Sequence, residues 1–290
     1  MIDTHAHLDD PQFDADRDAV LQRSRLADVD TIVCVGTTLA SSRAAVRLAE
    51  TCPGGKRGQS PFVRSTLWAV PANGDCPLFP SYPDVYAAVG IHPNSSAKAG
   101  PDDWDQVAAL LDHPRVVALG ETGLDRYRDF APLELQRDYF RRHLVLGRRR
   151  DLPLVIHCRD AWEDLLPLLR EFAAGGAVCG VLHAFSGDAA TLAECIALGL
   201  HVSFAGNVTY TNKKFQSLRA AAAAVPPDRL LVETDSPYLV PEPLRGRQKR
   251  NEPALLVHTA SALAALRGVT PETFAAQTAE NARRLFRIAP

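Results

Sequence analysis

Apolar residues along this chain alternate between two rhythms. Short, nearly continuous apolar runs recur at 2–7, 31–36, 85–91, 116–121, 154–157, 178–183, 201–205 and 230–235. Between them lie longer segments of helical spacing: 14–28, 40–51, 102–112, 133–150, 161–174, 189–198 and 213–224. Two more, 252–267 and 271–287, follow the last run. The stretch AWEDLLPLLREFAAG is the clearest of these. Its apolar residues at 162, 165, 166, 169 and 172 form a one-sided stripe, with Pro167 expected to kink it. Strands that are apolar throughout are covered on both faces, which predicts a parallel sheet flanked by helices. Eight β–α units in 290 residues predict an α/β fold, a (β/α)8 TIM barrel forming a single domain over 1–290. An open doubly wound sheet is the structural alternative. Its dinucleotide-binding form is disfavoured, because no Gly-x-Gly-x-x-Gly follows an early strand.

One segment breaks the rhythm. Residues 52–84 are rich in Pro and Gly and have little period, so they read as an irregular insertion between the second helix and the third strand. The insertion leaves from the bottom of the barrel, which favours a surface excursion over a lid or interaction loop. Cys52 and Cys76 bracket it; two unrelated thiols are favoured over a disulfide.

Composition changes the picture little. The chain is 46% hydrophobic and 23% charged with a formal net charge of −2, so nothing global favours a polyanion partner. A nucleic-acid function therefore needs a local basic site or metal ions. The six cysteines form no C-x-x-C pair, the start lacks a signal-peptide pattern, and no run is long enough to span a membrane. These features lead to the expectation of a cytoplasmic protein with reduced thiols and no obligate protein partner.

The chemistry lies at the strand ends. The first strand ends His5-Ala6-His7, the fourth in Glu121, the fifth in His157, the sixth in His183 and the eighth in Asp235. Any one of these is more often a satisfied core or loop residue. Together they occupy one structural position, and strand ends of a barrel converge on its active face. Residues i and i+2 of a strand share a side, so His5 and His7 are expected to chelate one ion. Four imidazoles and two carboxylates suit two divalent ions sharing a bridging carboxylate. Of the other histidines, His113, His143, His201 and His258 receive structural roles. His92, ending the third strand, is expected to contact substrate.

With those residues in view, the chain resembles the TatD family of metal-dependent deoxyribonucleases. The resemblance is carried by IDTHAHLD (2–9), AAVGIHP (87–93), ALGETGLD (118–125), LPLVIHCRDA (152–161), GVLHAFSG (180–187), LLVETDSPYL (230–239), RNEP (250–253) and ENARRLF (280–286). It implies one ion on His5, His7 and Asp235, a second on His157 and His183, and Glu121 bridging them. It also implies a 3′-to-5′ exodeoxyribonuclease acting on DNA without sequence preference. Zn2+ and Mn2+ suit this donor set, Mg2+ less so. Related barrels often carry a carboxylated Lys where this chain has Glu121, which favours the TatD branch. There are departures: Asn94 and Ser95 follow GIHP where a second His is common, Arg126 precedes Tyr127, and the loop PLRGRQKRNEP is long.

Catalysis would then use Glu121 and Asp235, with Asp235 as general base or as ligand alone. Arg159, Arg245 and Arg250 are candidate phosphate contacts, and a solvated loop is the plain alternative for the last two. Tyr127, Phe185 and Tyr210 are candidates for base stacking, with packing as the default for each. The basic run 141–151 ends a helix at the bottom face and reads as structural. A two-metal hydrolase of small esters, lactones or amides remains an alternative, as does a non-catalytic metal-bound binding protein.

Overall fold

The computed structural model describes residues 1–52 and 82–289. The expected insertion and the Cys52–Cys76 question fall almost entirely outside the described residues. Eight parallel strands follow one another around a single sheet in sequence order. They are β1 (Ile2–Ala6), β2 (Thr31–Val35), β3 (Asp84–Val89), β4 (Val116–Asp125), β5 (Leu154–Arg159), β6 (Gly180–Leu182), β7 (His201–Phe204) and β8 (Leu230–Val232). The helices are α1 (Arg17–Leu26), α2 (Leu39–Thr51), α3 (Asp103–Leu110), α4 (Leu133–Arg150), α5 (Trp162–Ala173), α6 (Ala189–Ala197), α7 (Gln216–Ala224), α8 (Leu256–Arg267) and α9 (Pro271–Phe286). The expected barrel is therefore present. Helix α5 runs on through Pro167, which removes one backbone donor without ending the helix.

Strand alternation sorts the side chains into two layers. On β5, Leu154, Ile156 and Cys158 face the helices, while Val155 belongs to an inner cluster with Val33, Val35, Ala88, Val181 and Leu231. The end of α9 joins that inner cluster through Ala282, Leu285 and Phe286, so this helix plugs the barrel beneath the site. Asn281 fixes the plug by donating to Pro227 O (2.7 Å) and Leu230 O (2.9 Å) at the start of β8. Caps fix other helix starts: Thr38 and Ser41 form a reciprocal capping box on α2, and Asp188 caps α6. The two edges of the sheet meet at Ala6 and Ser236, where His7 N donates to Ser236 O (2.8 Å) and Asp235 N to His5 O (2.9 Å).

Some strand limits differ from the expected ones. Glu121 does not end β4, which continues four residues to Asp125. β6 and β8 stop one and three residues before His183 and Asp235. The backbone there turns towards other partners, with Asp235 in the left-handed region at φ 54°. Aspartate tolerates that region better than most residues.

His143 gives the fold a pH dependence. It is buried, accepts from Ile91 N (3.1 Å) through Nε2 and donates to Tyr139 O (2.7 Å) through Nδ1. Burial drives its pKa down to about 4, so the folded chain keeps it neutral. An unfolded histidine titrates near 6.5, so the unfolded chain binds more protons between those values. The contribution is complete above about pH 6.5 and falls away as pH drops towards 4, by up to about 3 kcal/mol. Urea midpoints between pH 7.5 and 4.5 should fall more steeply for the wild type than for His143→Gln. Parallel slopes would contradict the assignment.

Candidate metal centre

The inward parity of the strands carries upward from the core into the site. On β5 and β6, Val155 and Val181 lie inside, and His157 and His183 follow two residues later. On the β8 side, Leu231 is inside, then Glu233, then Asp235. β4 passes very close to β5 here. A Cβ on Gly123 would lie 2.0 Å from His157 O, and Gly123 adopts φ 134°, so only glycine fits.

Six expected residues come together. His5 Nε2 and His7 Nε2 are 3.2 Å apart. Each lies 3.6–3.7 Å from both Glu121 Oε2 and Asp235 Oδ1. Donors bound tetrahedrally at about 2.0–2.1 Å stand about 3.3–3.4 Å apart, so this spacing matches donors around one ion. The other Glu121 oxygen faces the opposite pair: Oε1 is 3.0 Å from His157 Nδ1 and 2.8 Å from His183 Nε2, with 3.1 Å between those nitrogens. One buried carboxylate therefore sends one oxygen to each pair of imidazoles.

The electrostatics describe a centre that demands positive charge. Burial opposes ionisation of Glu121, but His92, His183 and His157 outweigh it and hold its pKa well below the usual range. Asp235 is lowered in the same way by His7, His5 and His183 against its burial. Burial also opposes charging of His7, yet Asp235 and Glu121 raise it to about 9. His183, between Glu121 and Glu233, is raised well above its ordinary value despite burial. Protons here meet a demand that a divalent cation would satisfy, and ion binding would displace them.

Outer partners set the rings. Asp125 Oδ2 meets His157 Nε2 at 3.2 Å and accepts from Asn94 Nδ2 at 2.9 Å. His157 therefore offers Nδ1 to the centre. Glu233 Oε1 lies 3.5 Å from His183 Nδ1 and accepts from Ala184 N (2.7 Å), while its Oε2, His183 Nδ1 and His5 Nδ1 have no hydrogen-bond partner among the described residues. Asp3 accepts from His5 N (3.3 Å), Thr234 N (2.9 Å) and Thr234 Oγ1 (2.6 Å), tying β1 to the segment after β8. Asn251 donates to Thr234 O (2.9 Å) from the other side. The sequence reading missed Asp125 and Glu233. Glu233 had a signal, since it precedes Asp235 by two residues and shares its side.

His92 lies closer to the centre than its sequence position suggested. Its Nε2 is 3.3 Å from Glu121 Oε1, and its ring meets that of His157 edge-on at 4.5 Å. Its Nδ1 accepts from Asn94 N (3.0 Å), so neutral His92 carries its proton on Nε2, facing inward. Other groupings, His5 with His183 and Glu233 and His92 with Glu121 and His157, also close to within 4.8 Å. The Nε2 proton of His92 and the position of Glu233 behind the His183 ring favour outer roles for these two.

The candidate substrate contacts divide. Arg159 ends β5, exposed, with its guanidinium 3.7 Å over the Tyr127 ring. Arg250 is engaged elsewhere: it pairs with both oxygens of Asp16 (2.9 and 2.8 Å) and bonds Gln12 O, so it clasps the loop after β8 to the start of α1. Arg245 stacks 3.9 Å over Tyr210. Phe185 and Tyr210 are buried, and Phe185 packs on Trp162 and Phe204, so neither offers a face to a base. Tyr127 is exposed. A groove of about 340 Å³ lined by Trp104, Arg141, Arg142 and Arg149 lies on the outer helices, away from the centre. Among the described residues no helix is long and apolar enough to cross a membrane.

A parallel (β/α)8 barrel here gathers histidines and carboxylates at the C-terminal ends of its strands, an arrangement suited to metal-dependent hydrolysis. The chain belongs to the TatD related DNase family, whose model matches residues 2–57 and 72–287. It is 36% identical over 99% of both chains to YabD of Bacillus subtilis (strain 168), an uncharacterized metal-dependent hydrolase. It is 32% identical over 99% of both chains to the 3′-5′ ssDNA/RNA exonuclease TatD of Salmonella typhimurium. The crystal structure of YjjV, a TatD homologue from Escherichia coli K12, superposes with a TM-score of 0.82 at 28% identity, covering 100% of this chain and 98% of that one.

Proposed function

We propose that the chain is a two-metal nuclease that removes nucleotides from the 3′ end of single-stranded DNA, without sequence preference. The observation that carries the two-metal part is the division of Glu121 between two imidazole pairs, one oxygen to each. His5, His7 and Asp235 would hold one ion, His157 and His183 the other, and Glu121 both. The named activity of relatives of equal length supports the substrate and direction. Glu121 in place of a lysine supports this branch over lactone or amide hydrolysis.

When bound, divalent ions at such a centre acidify water and neutralise charge on phosphate oxygens. The protein's own groups supply the rest. Asp235 is ionised at neutral pH and takes the proton of the attacking water. His92 presents Nε2–H towards a phosphate oxygen, with burial keeping the ring neutral. Asp125 holds the ring of His157 in place by its bond to Nε2, and Glu233 sets a negative charge 3.5 Å behind His183 Nδ1. Arg159 contacts the phosphate backbone, giving affinity without reading sequence.

The test is a single-stranded oligonucleotide labelled at its 5′ end, incubated with pure protein and Mn2+. Stepwise shortening from the 3′ end, abolished by a chelator and restored by metal, is expected. Hydrolysis of lactones with intact oligonucleotide would contradict the reading.

A further inference from the structure

Seven large apolar side chains stand exposed among the described residues. Four are aliphatic (Leu26, Val145, Leu266 and Val269) and lie in or next to the outer helices. The three aromatic ones, Tyr127, Phe130 and Tyr238, all lie on loops leaving the C-terminal ends of β4 and β8, the face of the metal centre. Tyr238 stands against His7, with 6.1 Å between ring centroids. Tyr127 and Phe130 lie half the barrel away, beyond β4, with two guanidiniums beside them. Arg159 Cζ is 3.7 Å from the Tyr127 centroid, and Arg128 Cζ is 5.2 Å from Tyr127 and 5.7 Å from Phe130. Neither arginine has a carboxylate partner among the described residues. Their neighbour Arg126 differs, being paired with Asp164 at 2.5 Å.

We propose that Tyr127 and Phe130, with Arg128 and Arg159, form a stacking platform for the bases of a single strand whose terminal phosphodiester lies at the metal centre. The proposal rests on the nuclease reading for the position of that phosphodiester. Three observations carry it. Tyr127 and Phe130 stay 55% and 56% exposed even with those guanidiniums beside them, which leaves apolar surface that a base would cover. The guanidiniums beside them, without a carboxylate partner among the described residues, are suited to the phosphates that accompany bases. The chemistry selects single strands, because a duplex keeps its base faces stacked, and it tolerates any sequence, because every base has a π-face. The platform is also anchored to the centre. Asp125 Oδ1 accepts from Tyr127 N (2.8 Å) and Arg128 N (3.0 Å), while its Oδ2 meets His157 Nε2. One carboxylate thus fixes both the platform backbone and an imidazole of the centre, which places the rings at the rim.

The test compares two cleavage-resistant phosphorothioate strands of equal length, one carrying thymine bases and one abasic, by fluorescence anisotropy with metal-loaded protein. The wild type is expected to bind the base-bearing strand tighter by roughly 5- to 100-fold, the span of one stacked base. Tyr127→Ala and Phe130→Ala should each shrink that ratio, the double variant should bring it close to one, and Tyr127→Phe should keep it. A wild type without base preference, or a ratio insensitive to both alanines, overturns the platform. Cleavage of an ordinary strand is scored separately. A strand bound in the expected pattern but never cut overturns the nuclease reading and supports the platform. A strand cut normally, with the ratio unmoved, overturns the platform alone.

Discussion

Asp235→Asn is expected to lower nucleotide release by roughly 10²- to 10⁴-fold at saturating Mn2+, the usual span for loss of a positioned proton acceptor. Asparagine keeps the shape of the side chain, and the bond from the 235 backbone N–H to His5 O involves no side chain. The barrel closure therefore survives, and thermal melting should stay close to wild type. What disappears is a charge 3.6–3.7 Å from two imidazole nitrogens and, with it, the basicity that the proposed proton transfer from water needs. A variant that retains more than a tenth of the wild-type rate would show that Asp235 has neither role.

Glu121→Ala is expected to act more broadly. The side chain is buried and its oxygens approach five imidazole nitrogens, from His5, His7, His92, His157 and His183. Without it the two halves of the centre lose their shared donor. Loss of an outer partner at a metal site costs roughly 10- to 100-fold, and removal of an inner donor shared by two ions should exceed that. Metal analysis after dialysis should return fewer than two ions per chain, with activity near background. The metal-free variant also loses the main attraction that raises the pKa of His183, so its imidazole should titrate lower by NMR than in the wild type. A variant holding two ions and cleaving at the wild-type rate would remove Glu121 from the centre.

Much of this architecture was legible in the chain. The apolar runs gave the eight strands in order, because parallel strands covered on both faces admit few polar residues. The polar residues that interrupt those runs at their ends, His5, His7, Glu121, His157, His183 and Asp235, are the ones the structure gathers together. Boundaries were less legible. β4 continues past Glu121 because Gly123 lets it approach β5, a tertiary fact with no period in the sequence. Partner choice was less legible still. Arg250 reads as a free cation in PLRGRQKRNEP, but Asp16, more than 200 residues earlier, engages it. Phe185 and Tyr210 follow strands just as Tyr127 does, and only packing shows that two are covered and one is not. Asp125 lay in view within GETGLD, but its bond to His157 needs the β4–β5 register.

Two ions, joined by Glu121, are expected to be required together for nucleotide release. The most direct measurement titrates Mn2+ into metal-free protein and follows nucleotide release from a single-stranded oligonucleotide at each step. Little release is expected through the first equivalent, with a rise to full rate as the second binds. A rate that saturates at one equivalent, or that persists in the presence of a chelator, would contradict it.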